Sequence, residues 1–330
     1  MGDRMTHSLR YVLIGIAGFL TMSLLLEVGA RVWVNEIEPT QLTWYDESVQ
    51  LRMDDLAATP RDVDVLFVGT SAAWQSFVPS EFTTAHPDNP SAYNAGMNGA
   101  VPVVVEPWLD TIVAETTPET VVWGLTTLDF ATSYGDAAEN AWSQALSTRQ
   151  GVLASMDRTV VQYSALLEWR RTIVNPAVWA NGDERDAAKQ AFEDAAAIIG
   201  PDGERLDFVR VFTDQRVAVQ QARLADMTPD PDDIAAVLRA AYEMQQAGIT
   251  VVLVKLPITQ QMIELHPMGA ADVQRIHSVI DEIARSLEIE TIDMSTGFDD
   301  RQFVDLTHLD EDATRLLTQR FAQALEAAQS

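Results

Sequence analysis

DVDVLFVGTSAAWQS, Asp62 to Ser76, is the stretch on which the fold turns. Val63, Val65, Leu66, Phe67 and Val68 form a short apolar run rich in β-branched residues, the pattern of a strand buried on both faces of a parallel sheet. The run stops at Gly69-Thr70-Ser71, and Ala72, Ala73 and Trp74 follow as a helix would. Such a tight strand-to-helix turn projects the Ser71 hydroxyl from the carboxyl end of the sheet, where open α/β folds hold their ligands. It also offers the N–H groups of a helix start to an anion. An ordinary turn with serine or threonine as N-cap has the same pattern, so the decision lies downstream.

Outward from this strand, helix and strand alternate. Ser91 to Asn94 gives a second strand ending in Tyr93-Asn94-Ala95-Gly96, and Val103 to Thr117 a helix. Thr120 to Leu125 is a third strand that runs into Thr126, Thr127, Leu128 and Asp129. From Ala137 to Gln246 the period becomes helical, with turn signals at Asn175-Pro176, Asn181-Gly182 and Gly200-Pro201, too long for one crossover. Residues 137–228 therefore read as a helical insertion or lid, and Asp232 to Ala247 as the helix returning to the sheet, closed by Gly248. Thr250 to Lys255 and Glu290 to Asp293 supply strands four and five; Ala270 to Leu287 and Asp310 to Ala327 supply the last helices. This alternation predicts an α/β fold, a three-layer sandwich with a parallel five-stranded sheet.

Upstream, Tyr11 to Ala30 is an almost unbroken apolar run in which Glu27 is the only charge. About twenty such residues span a bilayer core. Arg4 and Arg10 precede the run, and the charges beyond Arg31 are mainly acidic, which places the N-terminus in the cytoplasm and the rest outside. A cleaved signal peptide is the competing reading, because Val28-Gly29-Ala30 resembles a cleavage site; the length of the run favours a retained anchor. The expected plan is a cytoplasmic N-terminus at 1–10, a transmembrane anchor at 11–30, a juxtamembrane stem at 31–60 and the α/β domain at 61–330. Localisation follows as cell membrane, single-pass, with the domain extracytoplasmic.

Composition removes other classes. Of the 330 residues, 47% are hydrophobic, enough for a large core. The formal charge of −27, from 49 acidic against 22 basic residues, speaks against nucleic-acid binding, which needs concentrated Lys and Arg. The chain has no cysteine, so disulfides, zinc–thiolate sites and cysteine nucleophiles are excluded.

The chemistry-bearing segment lies just before the last helix, in Phe303-Val304-Asp305-Leu306-Thr307-His308-Leu309. A carboxylate three residues ahead of a histidine, on a loop entering a helix, can turn back to one imidazole nitrogen and leave the other facing outward, as a histidine base requires. A capping or surface histidine beside a loop acid is the plainer alternative.

Taken together and in this order, Gly69-Thr70-Ser71, Asn94-Ala95-Gly96 and Asp305-Leu306-Thr307-His308 resemble the motif blocks of the SGNH (GDSL-like) hydrolase family, whose fold is flavodoxin-like. The resemblance spans about Asp62 to Gln329 apart from the insertion. With an anchor in front, the chain looks most like the exported branch that handles acyl groups on cell-envelope glycans, the relatives of alginate O-acetylation proteins and D-alanine transfer proteins. It implies Ser71 as nucleophile, His308 as general base and acid, Asp305 as its orienting group, and the N–H groups of Ser71 and Gly96 in an oxyanion hole. The family's third block, Gly-x-Asn-Asp, is not matched by Gly124-Leu125-Thr126-Thr127-Leu128-Asp129. Thr127 or Asn98 is expected to donate in place of the missing asparagine, or the hole is a donor short.

Trp74 and Trp108, near the first two blocks, are candidate stacking platforms for sugar rings, with buried packing as the alternative. His86, His266 and His277 read as surface residues, and Asp230, Asp232 and Asp233 as helix-start acids. Lys255 either faces the site or caps the sheet. No metal and no cofactor is expected. The expected partners are an envelope glycan or other acylated carbohydrate, the membrane through the N-terminal helix, and a multispanning membrane acyltransferase. The expected activity is acyl transfer or ester hydrolysis through an acyl-serine; the competing class is an inactive module that kept the fold and binds glycan or a membrane partner.

Overall fold

The computed structural model describes residues 17–32, 63–134 and 196–329, with the single positions 51, 56, 190, 193 and 194. The chain divides into two compact units, and residues 63–134 and 196–329 fall in the second. In the first, 17–32 are helical with Phe19, Leu20, Leu24 and Leu25 exposed, and the start of the expected anchor lies outside the described residues. Among the described residues no helix is long and apolar enough to cross a membrane. Most of the expected stem, 33–50, 52–55 and 57–60, and the bulk of the expected insertion, 135–189, also lie outside them.

The second unit is built on five parallel strands: β1 (Val65–Gly69), β2 (Ala92–Asn94), β3 (Thr120–Leu125), β4 (Thr250–Lys255) and β5 (Glu290–Asp293). Their order across the sheet is β2-β1-β3-β4-β5. In chain order the helices are α1 (Ser71–Ser76), α2 (Pro79–Ala85), α3 (Pro102–Thr116), α4 (Asp214–Arg223), α5 (Pro231–Gln246), α6 (Gln260–Leu265), α7 (Ala270–Leu287) and α8 (Glu311–Gln329). Strands three, four and five match their expected bounds, whereas α2 and α6 were not foreseen. Both are short and lie in stretches whose Pro, His and Thr mask a helical period.

Every residue of β1 and of β3 is buried, as strands covered on both faces must be. On one face Val65, Phe67, Val122, Val252 and Val254 pack with Ala73, Phe77 and Phe82 and with Leu317 and Phe321 of α8. Phe67 stacks on Phe77 at a centroid distance of 4.5 Å. On the other face α3, α5 and α7 cover the buried Leu66, Val68, Val121 and Leu253. The expected three-layer sandwich is therefore the observed one.

β1 pairs with β2 on one side and β3 on the other. The chain thus leaves an inner strand, visits the neighbouring edge and crosses back to the other side, so a crevice opens at the carboxyl ends of β1 and β3. The two ends are close enough to exclude side chains. Gly69 has φ +135°, and a Cβ there would sit 2.4 Å from the Gly124 carbonyl oxygen. Only glycine fits both restrictions.

Candidate active site

Ser71 is the first residue of α1, directly beyond β1. Thr70 is the N-cap, and its hydroxyl accepts the N–H of Ala72 at 3.3 Å. The expected capping reading of this turn is thus correct for Thr70, and Ser71 is left to project its hydroxyl. Across the crevice, Phe303 and Leu309 pair as an isolated antiparallel bridge, and the Val304 N–H reaches the His308 carbonyl at 2.8 Å. These bonds close Asp305 to His308 into a tight loop. Inside it the Asp305 carboxylate accepts the N–H groups of Thr307 at 2.9 Å and His308 at 3.0 Å. The acid that shapes its own loop also holds the imidazole: Asp305 Oδ2 is 2.8 Å from His308 Nδ1.

The other imidazole nitrogen, Nε2, stands 2.9 Å from Ser71 Oγ. A carboxylate only accepts, so Nδ1 carries the proton and Nε2 accepts from the serine hydroxyl. Burial alone would push the Asp305 carboxyl up, but the His308 hydrogen bond and charge and the two backbone N–H groups outweigh it and hold the group at about 2. Asp305 is therefore an anion throughout the neutral range, able to stabilise an imidazolium.

Two further residues secure this arrangement, and neither was singled out from the sequence. Gln75, one turn after Ser71 on α1, donates from Nε2 to the Leu309 carbonyl at 2.8 Å and so ties the nucleophile's helix to the histidine's loop. Its only sequence signal is a polar residue four positions beyond Ser71. Arg216 of α4 brings Nη1 to 3.6 Å from Asp305 Oδ2. It comes from the stretch read as insertion, where nothing local marks it. Val211, just before α4, donates its N–H to the Val304 carbonyl at 2.7 Å, so this return segment lies along the loop.

The oxyanion expectations need correction. The Gly96 N–H donates to Asn94 Oδ1 at 3.0 Å and is not available to a substrate. Gly96 is required for space instead, because a Cβ there would lie 2.6 Å from the Trp74 nitrogen. Asn94, fully buried, is the bolt: its amide also donates to the carbonyls of Trp74 at 3.0 Å and Phe77 at 2.7 Å, tying the end of β2 to the end of α1. Thr127 is buried, and its hydroxyl is 3.0 Å from His266 Nε2. His266 Nδ1 donates to the Met262 carbonyl at 2.8 Å, so Nε2 must accept and the Thr127 proton is taken. Asn98 is exposed in the turn that follows, and among the described residues neither it nor the Ser71 N–H has a hydrogen-bond partner.

The aromatic expectation is also overturned. Trp74 and Trp108 are 2% and 3% exposed, and their indole N–H groups donate to the carbonyls of Gly203 at 2.8 Å and Ala95 at 3.0 Å. Both are packing residues, because a platform for a sugar needs an open face. His86 and His266 are buried rather than on the surface, and burial pushes His266 down, keeping it neutral. His277 is half-buried. Asp230 caps α5 by accepting the Asp232 N–H at 2.8 Å, as expected of a helix-start acid, while Asp233 is buried and accepts the Val103 N–H at 3.1 Å. Lys255 turns to α7 and pairs with Asp281 at 2.6 Å. Among the described residues no group of three or more His, Cys, Asp or Glu is placed to hold a metal ion.

No family model and no curated protein matches the chain. Solved structures do resemble it at low identity. A GDSL-like lipase from Bacteroides thetaiotaomicron is 14% identical with a TM-score of 0.42, the match covering 86% of this chain and 98% of the other. A lipase/acylhydrolase from Enterococcus faecalis is 12% identical with a TM-score of 0.39, over 80% of this chain and 95% of the other. A carbohydrate acetylesterase from Sinorhizobium meliloti is 11% identical with a TM-score of 0.36, over 80% and 98%. At these overlaps nothing about this chain's activity follows from them.

Proposed function

We propose that this protein is a serine-dependent acyl-group enzyme, an O-acetyltransferase or acetylesterase acting on a cell-envelope polysaccharide. The observation that carries the proposal is the continuous line Ser71 Oγ, His308 Nε2 at 2.9 Å, His308 Nδ1 and Asp305 Oδ2 at 2.8 Å. Ser71 attacks the ester carbonyl while its proton passes to Nε2, and Asp305 stabilises the imidazolium formed. The leaving alcohol takes that proton, and an acyl-Ser71 remains. Water or a sugar hydroxyl then gives its proton to the same nitrogen and accepts the acyl group, regenerating Ser71.

The oxyanion formed in each step needs donors at the start of α1. Ser71 N–H is the candidate that remains from the backbone pair, and Asn98 remains from the side chains. Losing one such donor typically costs about a hundred- to a thousandfold in rate. With Gly96 and Thr127 already engaged, modest turnover is expected, which suits transfer to a held acceptor better than rapid hydrolysis. The apolar run at 11–30 behind Arg4 and Arg10 supports an anchored, outward-facing domain, and a multispanning membrane acyltransferase as the source of acyl groups.

The test is turnover of a chromogenic acetyl ester by the full chain in detergent. Loss of turnover and of fluorophosphonate labelling in Ser71→Ala supports the assignment; equal turnover by that variant removes Ser71 as the nucleophile. Adding an acceptor glycan separates transfer from hydrolysis. The same two engaged donors favour a second reading, a non-enzymatic glycan-binding module, which predicts no turnover and no labelling together with measurable glycan binding.

A further inference from the structure

Tyr134 ends the stretch that follows β3, and the proposed chemistry leaves it unused. That stretch is fastened to the segment returning from α4. Ala131 pairs with Pro229 as an isolated bridge, and the Thr132 hydroxyl donates to the Thr228 carbonyl at 2.8 Å. The Ser133 hydroxyl donates to the Arg223 carbonyl at 2.6 Å and accepts the Asp226 N–H at 3.1 Å. The Tyr134 N–H itself donates to the Ala131 carbonyl at 2.8 Å, and the Arg223 guanidinium lies over the phenol ring at 4.9 Å. The ring is therefore held in place by its own backbone and by a cation.

Its hydroxyl reaches the turn that flanks the nucleophile. The phenol oxygen lies 3.7 Å from where a Cβ on Gly99 would stand. Gly99 follows Asn98 in the turn after β2, and the Met97 N–H pins that turn to the Gly69 carbonyl at 2.8 Å, two residues before Ser71. Tyr134 is 7% exposed, and among the described residues its hydroxyl has no hydrogen-bond partner. The oxygen is not fully enclosed either, so it opens to the crevice side. A buried tyrosine usually finds a partner for its O–H. One that is held firmly, faces an opening and has none is a donor left for a ligand.

We propose that Tyr134 is a catalytic residue, the donor from the β3 side of the crevice that meets the oxyanion formed when Ser71 attacks, in place of the asparagine missing from Gly124 to Asp129. The inference rests on the serine-enzyme reading and adds to the Ser71 N–H and Asn98. A donor fixed before the reaction needs no reorganisation as charge develops. Burial, with the nearby Asp129 charge, outweighs the Arg223 guanidinium and pushes the Tyr134 phenol up to about 12, so the hydroxyl keeps its proton at working pH. The Arg223 charge also favours an anion at this side of the crevice.

The experiment compares the full chain in detergent with Tyr134→Phe, which keeps the ring under Arg223 and removes only the hydroxyl. Acetyl ester turnover is expressed per Ser71 that a fluorophosphonate can label, so unfolded protein does not count. The variant should lose roughly a hundredfold in kcat with KM unchanged, because the bond is made only in the transition state. The rate of fluorophosphonate labelling should fall with it, since the phosphoryl oxygen takes the oxyanion's place. The melting temperature should stay that of the wild type. A kcat within about threefold of an active wild type removes Tyr134 from the reaction. A raised KM with kcat kept, or a clear loss of melting temperature, would likewise overturn the assignment, the first making the hydroxyl a ground-state contact and the second a structural one. A wild type that neither turns over the ester nor labels at Ser71 removes the serine-enzyme reading, and this assignment with it.

Discussion

His308 Nε2 lies 2.9 Å from Ser71 Oγ, across 237 positions of chain. Two features bring them together: β1 ends inside the sheet, between β2 and β3, and α8 packs against α1 and α2 on one face of it. Gln75 fixes the spacing by bonding the backbone that carries His308. The hydroxyl is thus placed by the sheet and the imidazole by a loop that one carboxylate ties together.

Replacing Asp305 by Asn should lower kcat for an acetyl ester by about a thousandfold or more, because the amide can donate and favours the wrong imidazole tautomer. Steady-state kinetics beside Ser71→Ala checks this, and a loss below tenfold would detach Asp305 from the reaction.

Gly96→Ala should destabilise rather than disable. Its Cβ would lie 2.6 Å from the Trp74 nitrogen, and overpacking of this kind costs about 1 to 3 kcal/mol or more. Denaturant unfolding should show the loss, while the folded fraction keeps its kcat within about threefold. A large fall in kcat with unchanged stability would instead return Gly96 to the oxyanion hole.

Thr127→Val leaves the buried His266 without a donor for Nε2, a deficit of about 1 to 3 kcal/mol. Unfolding experiments should register that deficit with no change in KM. Retained stability with lost turnover would show that the hydroxyl serves substrate rather than His266.

The two buried carboxyls should act on stability with opposite signs. Asp305 is held at about 2, below its usual value of 3.8, so its contribution is complete above about pH 4 and is lost as pH falls through 2. Asp129 is raised to about 7, so the folded state favours its protonated form, and stability is lost as pH climbs from about 4 to 7. Melting temperatures across pH should therefore show Asp129→Asn gaining on the wild type between pH 4 and 7 and holding that gain above. Asp305→Asn should lose most above pH 4 and converge with the wild type near pH 2. Parallel curves for wild type and variant would contradict either assignment.

The sequence by itself carried the alternation of strands and helices, because burial on both faces makes β1 and β3 continuous apolar runs and leaves α7 with a one-sided pattern. It also carried Asp305 with His308, since a bond across three residues is a local matter of loop geometry. It could not tell that Gly96 is needed for space, that Thr127 serves His266, or that Trp74 and Trp108 are enclosed. Each of those depends on which distant backbone or side chain arrives alongside, and a polar group forms its hydrogen bond with whatever the packing brings. Arg216 reaches Asp305 for the same reason. Hydrophobic periodicity is a property of neighbours in the chain, whereas the partner of a buried donor or acceptor is a property of the sheet order, and only the assembled tertiary structure supplies that.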